Sequence, residues 1–150
     1  MKLPTSLLAC ALFLTISGCT IPSSEPVKNA ATVPLVNTAW RLTQLGGQMI
    51  SNPEGPAAIG LKLESQNPRV TGFAGCNRMF GGYSLNGDEL KFDELGSTKM
   101  ACVDQERMQL EMRYLESLTG VARWKITDST LVLLDARGAP LVTFAATPAP

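Results

Sequence analysis

The sequence predicts an α+β domain: an antiparallel sheet of about eight strands curled into a partly open barrel, with one helix at about residues 103–119 covering or plugging the open side. Three observations predict it. Short runs of alternating apolar and polar residues recur between turn residues, one stretch alone has a helical period, and Gly72, Gly75, Gly81 and Gly82 crowd into the middle of the chain. Glycine weakens a straight strand and permits bulges and sharp bends, so the crowding marks where the sheet curls.

Thr38 to Leu45 alternates with Trp40 and Leu42 on one side and ends at Gly46-Gly47, a strand and a hairpin turn. Ser51 to Pro56 is a loop by its turn residues, and Ala58 to Glu64 places Ile59, Leu61 and Leu63 on one face of a half-buried strand. A turn at Gln66-Asn67-Pro68 leads into Arg69 to Ala74. Tyr83 to Leu85 and Glu89 to Phe92 flank Asn86-Gly87, which predicts a type I′ hairpin. From Val103 to Thr119 the period is helical: Met108, Leu110, Met112, Tyr114, Leu115 and Leu118 fill one arc, Asp104 and Glu106 suit the positive end, and Gly120 suits the stop. Strands at Ala122 to Thr127, Leu131 to Leu134 and Leu141 to Ala145 complete the domain.

Ahead of the domain, Lys2 precedes an apolar run from Leu7 to Ile16, too short to span a bilayer and shaped like a secretory signal. It ends at Ile16-Ser17-Gly18-Cys19, which resembles the bacterial lipobox. Residues 1–18 are read as a lipoprotein signal and Cys19 as the lipidated residue; the competing reading is an ordinary signal with a coincidental cysteine. Residues 19–35, with Pro22, Pro26 and Pro34 among small and polar residues, read as a flexible tether, residues 36–146 as the domain and 147–150 as a frayed tail. Thr20 rather than Asp after the anchor suggests the outer membrane, with the domain facing the periplasm.

The chain of 150 residues has 13 basic and 13 acidic side chains, and of these only Lys2 lies in the signal. A near-neutral remainder gives no basic footprint for nucleic acid and no polybasic patch for anionic lipid. There is no histidine, which excludes Ser-His-Asp and Cys-His catalysis and His-ligated zinc within one chain. Phosphate-binding glycine loops and EF-hand loops are absent as well, which leaves carboxylate chemistry, a lone reactive cysteine or no chemistry; no cofactor and no enzyme are expected, with a carboxylate hydrolase as the third hypothesis.

Cys76 and Cys102 are the cysteines of the domain. Outside the cytosol they are expected to pair, with buried free thiols or a reactive thiol as alternatives. Glu111 falls inside the apolar arc of the helix, where a carboxylate is costly unless partnered. Arg107 or the backbone amides of the glycine-rich turn are its candidate partners, and a ligand contact is the alternative. Asn77 suits a left-handed position after the bend, holding the turn, with binding as its alternative. Trp40 and Trp124 read as core, and Met100, Met108 and Met112 first as core filling, second as an adaptable apolar surface. Asp88-Glu89 and Asp93-Glu94 are strand neighbours on opposite faces and cannot converge on one atom.

The pattern Gly72-x-x-Gly75-Cys76-Asn77-Arg78, Gly82-Tyr83, Ser97-Thr98-x-Met100-Ala101-Cys102 and Glu111-x-x-Tyr114, with Asn37-Thr38-x-Trp40-x-Leu42 before it, resembles the META domain, also called HslJ-like, over about residues 36–146. The resemblance implies a curled antiparallel sheet with a helix, similar to the cracked barrel of secretin pilots. It also implies a small bacterial secreted protein or lipoprotein, of a family often without assigned function, some members of which are linked to heat response, antibiotic tolerance or motility. It carries over no catalytic residue; Cys76, Asn77, Cys102 and Glu111 transfer as structural positions. The expected function is a monomeric, non-catalytic lipoprotein that binds an envelope protein or component, with a hydrophobic-ligand carrier or secretin-pilot-like chaperone as the alternative.

Overall fold

The computed structural model describes residues 33–147, so the signal, Cys19, most of the tether and the last three residues of the tail lie outside it. In chain order the elements are β1 (Ala39–Leu45), β2 (Gln48–Met49), β3 (Gly60–Glu64), β4 (Arg69–Phe73), β5 (Arg78–Asn86), β6 (Glu89–Ser97), α1 (Gln105–Thr119), β7 (Arg123–Thr127), β8 (Thr130–Leu134) and β9 (Pro140–Ala146). All strand pairs are antiparallel, in the order β2-β1-β3-β4-β5-β6-β7-β8-β9, and a further pairing of β1 with β9 curls the nine strands into a ring. The weak seam lies between β6 and β7, joined only at Glu89 and Arg123. The chain crosses this seam through α1, which packs against β6 and β9.

Strand alternation builds the interior. Trp40, Leu42, Leu61, Leu63, Val70, Met79, Leu90, Leu131, Leu133, Val142 and Phe144 point into the ring and are essentially fully buried, as are Tyr114 and Leu118 of the helix. Each such side chain is worth about 1.5–3 kcal/mol when fully buried.

Two glycines face the backbone of a neighbouring strand at close quarters. Gly72 stands opposite Leu61, and Gly60 opposite both Arg41 and Phe73. A Cβ on Gly72 would collide with the Gly60 carbonyl oxygen, and one on Gly60 with the carbonyl oxygen of Trp40. No side chain fits at either position, and glycine there permits the bend of β1, β3 and β4. A bulge adds to this: Gly81 of β5 faces both Glu94 and Leu95 of β6, and Glu94 takes φ +48°.

Several boundaries differ from the sequence reading, each for a local reason. β5 and β6 are longer than expected because the bulge lets them pair past the glycines. In their hairpin Asn86 pairs with Glu89, so Gly87-Asp88 is the two-residue loop. Gly87 has φ +59° while Asp88 is not left-handed, the pattern of type II′ and not type I′. Asp104 is the N-cap, accepting from the amides of Glu106 and Arg107, so the helix starts at Gln105. Gly120 ends it in a right-handed conformation, close against Leu141. Leu35, assigned to the tether from sequence, is buried, and its carbonyl accepts from the Trp40 indole at 2.9 Å.

The helix buries Glu111, Tyr114 and Leu118, and this stripe leaves Met108 and Met112 to one side, 44% and 61% exposed. Core filling is therefore not their role, nor that of Met100 at 67%. Trp124 is only half-buried, its indole donating to the Gly87 carbonyl at 3.0 Å.

Gly72→Ala should destabilise the domain by about 3 kcal/mol or more in denaturant unfolding, because the new methyl meets backbone that cannot turn aside. The adjacent Thr71→Ala, outward and half-buried, should cost under about 1 kcal/mol. Equal costs for the two would mean that the close approach does not set the curl.

Candidate functional site

The residues singled out from sequence converge at one junction. β4 runs out through Ala74 into a tight turn closed by the Ala74 amide donating to the Asn77 carbonyl at 2.8 Å. Gly75, at φ +141°, lets the first turns of the helix lie directly on it: a Cβ there would stand 3.1 Å from the Arg107 carbonyl oxygen. From the helix, Glu111 reaches into this turn and is 7% exposed. Its Oε2 accepts from the amides of Cys76 at 2.8 Å and Asn77 at 2.7 Å, and its Oε1 from Asn77 Nδ2 at 2.8 Å.

Asn77 passes the connection on. Its Oδ1 accepts from the Met100 amide at 2.7 Å and the Thr98 hydroxyl at 3.0 Å. Thr98 also joins Arg78, accepting from the Arg78 amide at 3.2 Å and donating its own amide to the Arg78 carbonyl at 3.0 Å. Cys76 and Cys102 are disulfide-bonded with Cα atoms 5.8 Å apart. Three segments, the Ala74–Asn77 turn, the stretch after β6 and the helix that follows it, are thus tied at one point.

Of the partners expected for Glu111, the backbone amides are the ones present. Arg107 makes no ion pair with it, its guanidinium reaching instead toward the Ala57 carbonyl at 3.5 Å. Asn77 does not adopt the left-handed conformation, which Gly75 takes instead; its side chain bonds forward to a distant segment. Charge-assisted bonds of this kind are about twice as strong as neutral ones. The disulfide, closing 26 residues, adds about 3.5 kcal/mol in the chain-entropy account.

Beneath Glu111, the Tyr114 ring meets Phe144 edge to face at 6.2 Å. Its hydroxyl is buried without a hydrogen-bond partner, and burial raises its pKa far above the ordinary phenol value of 10.0. Sequence reasoning missed a second polar anchor, Asn52. It is buried, donates to the carbonyls of Leu42 at 2.9 Å and Ile59 at 2.7 Å, and accepts from the Ile59 amide at 2.8 Å. Its only signal was a place in a Ser-Asn-Pro loop, which reads as any turn.

Tyr114 and Leu118 of the helix are buried together with Phe144 of β9 in the core. The large concavity, about 1260 Å³, lies instead on the outer face of β1, β3 and β4 beside the loop at residues 54–58. Among the described residues no group of three or more acidic, cysteine or histidine side chains could hold a metal, and no helix is long and apolar enough to cross a membrane.

A ring-curled antiparallel sheet fastened to one helix by a disulfide and a buried carboxylate defines the class: a small α+β domain. The chain belongs to the META domain family, whose model matches residues 33–148. It is similar to a Burkholderia xenovorans protein solved by NMR, at 30% identity over 87% of this chain and 99% of that one, TM-score 0.62. A second NMR structure shares the fold at 22% identity, covering 74% of this chain and 90% of the other, TM-score 0.56. No curated protein matches the chain.

Glu111→Gln keeps the shape but sets an amide against donors, and should cost about 2 kcal/mol in denaturant unfolding. Combined with Asn77→Ala the losses should fall short of additive by about 1 kcal/mol or more, since both break one network; simple additivity would refute the shared junction.

Tyr114→Phe removes a buried hydroxyl with no partner and should leave the domain as stable or up to about 1 kcal/mol more stable. The sign with pH follows from the raised pKa: the folded phenol holds its proton above the unfolded value of 10.0, so its contribution is complete below that pH and declines as pH rises beyond it. Alkaline unfolding should therefore begin later in the variant. Tyr83, also raised by burial, leaves a smaller residual in both proteins. A loss of 1 kcal/mol or more in the variant at neutral pH would show that the hydroxyl has a bonding partner.

Proposed function

We propose that this protein is a non-catalytic, lipid-anchored module of the bacterial envelope that binds a protein or envelope component and supports stress tolerance. One observation carries the non-catalytic reading: the polar groups singled out from sequence are spent on one another. Both oxygens of Glu111, the side-chain amide of Asn77, and Cys76 and Cys102 hold three segments together. A carboxylate occupied by three donors has little left for acid or base work. The anchoring reading rests on Ile16-Ser17-Gly18-Cys19 and on the proline-containing stretch that follows it. About fifteen extended residues at about 3.1 Å each would let the domain stand up to about 45 Å from the bilayer.

The alternative, a hydrophobic-ligand carrier or secretin-pilot-like chaperone, divides. A ligand held between helix and sheet would have to share that space with the buried Tyr114, Leu118 and Phe144. A partner or ligand bound on the surface has the exposed Met100, Met108 and Met112 and the outer groove to meet.

Fractionation tests the anchor. The wild type should sediment with outer membrane and yield an acylated N-terminal Cys19 by mass spectrometry, while Cys19→Ser should lose acylation. A full-length, unlipidated chain recovered from cytoplasm would overturn the reading. So would a turnover activity that Glu111→Gln abolishes without changing the unfolding midpoint.

A further inference from the structure

The outer groove carries a chemical pattern that neither the fold nor the buried junction uses. Strand register sets two rows of outward positions across the sheet. One holds Lys62, Thr71 and Phe80; the next holds Arg41, Gly60, Phe73 and Arg78. Gly60 leaves a notch that no side chain can fill, since a Cβ there would strike the Trp40 carbonyl. The loop at residues 54–58 forms a wall, pinned at its base by Asn52. The concavity of about 1260 Å³ exceeds the range of about 300–1,000 Å³ usual for small-molecule sites.

Its floor is apolar and its charges are one-sided. Phe73 and Phe80 lie along it, with Phe80 44% exposed. Arg41, Lys62 and Arg78 line it against a single carboxylate, Glu54. None of the three cations is ion-paired among the described residues, where Arg137 with Asp135 forms the only ion pair. Arg41 spends one N–H on the Asn52 carbonyl at 3.0 Å, which fixes the side chain and leaves its charge uncompensated. Lys62 and Arg41 are diagonal neighbours on paired strands, about 7–8 Å apart, close enough for both long side chains to meet one anionic head.

We propose that this groove binds a free single-chain anionic amphiphile of the fatty-acid class, its carboxylate held by Arg41 and Lys62 and its chain lying over the Gly60 notch along Phe73 toward Phe80. Charge complementarity selects the head, and the apolar floor selects the chain. A bilayer surface fits less well, because the chain outside the signal is near neutral overall and the cations sit inside a walled concavity. An acidic peptide fits less well too: β3 and β4 are paired on both edges, so an added strand finds no free backbone here. The inference deepens the binding reading above but is independent of the anchor, so its failure would remove this ligand and leave a tethered module.

The test uses the whole mature chain from Cys19, exported behind a cleavable signal that is not lipidated, and calorimetric titration with oleate below its micelle concentration. One oleate should bind per chain, with oleyl alcohol at least tenfold weaker. Lys62→Gln, an exposed change outside the core, should weaken oleate at least tenfold with the unfolding midpoint unchanged. Thr71→Trp, which keeps a strand-favouring residue while filling the floor, should abolish binding. No oleate binding at any concentration below the micelle concentration, equal affinity for the alcohol, or binding untouched by Thr71→Trp would each overturn the proposal. Binding of phosphatidylglycerol vesicles or of an acidic peptide without oleate binding would overturn it in favour of those partners.

Discussion

Everything at the mouth of the ring depends on where the Glu111 carboxylate goes. A charged group on the buried stripe of a helix costs several kcal/mol unless it is met by hydrogen-bond donors. The donors that meet it are the two amides and one side-chain amide of the turn after β4. Because a backbone amide cannot swing to follow a misplaced acid, the bond fixes helix position to within a hydrogen-bond length. The apolar part of the same stripe, Tyr114 and Leu118, is short, and hydrophobic contact alone is non-directional. Burial holds the helix on the sheet, and the carboxylate decides where along it.

Gly60 and Gly72 play the matching part for the sheet. Their missing side chains let β1, β3 and β4 close up, which tightens the curl on the inside and opens a notch on the outside. The notch at Gly60 then lies in the outer groove, whose wall is the separate loop at residues 54–58. The bulge at Gly81, opposite Glu94 and Leu95, turns the sheet again before the helix begins. With β6 and β7 joined at one residue pair, the ring would gape there without the helix and the junction that holds it.

Much of this was legible in sequence, because period and turn chemistry are local. The strands around Trp40, Leu61 and Leu133, the single helix and the need for a partner at Glu111 follow from residue spacing, and Cys76 and Cys102 pair as the presence of two cysteines in one small domain led one to expect. What escaped was set by contacts between distant segments. The helical arc of Met108 and Met112 looks buried on a wheel, yet the stripe through Glu111, Tyr114 and Leu118 faces inward because the turn at Cys76 draws the acid there. Asn86-Gly87 reads as a type I′ pair until β5 and β6 pair one residue further, which shifts the loop to Gly87-Asp88. The outer groove has no linear signature, since Arg41, Lys62 and Arg78 come together only through strand register.

The disulfide and the carboxylate secure the same junction by different means, and the difference decides what each can be spared for. The bond between Cys76 and Cys102 acts mainly on the unfolded chain, restricting a loop spanning 26 residues, so its loss leaves the native hydrogen bonds available though less stable. Glu111 acts on the folded state: without it, two buried amides and the Asn77 side chain lose their acceptor whatever the sulfurs do. Since the Asn77 side chain also holds Met100, two residues before Cys102, the same network that seats the helix brings the second cysteine toward the first. Geometry then comes from the carboxylate and endurance from the covalent bond.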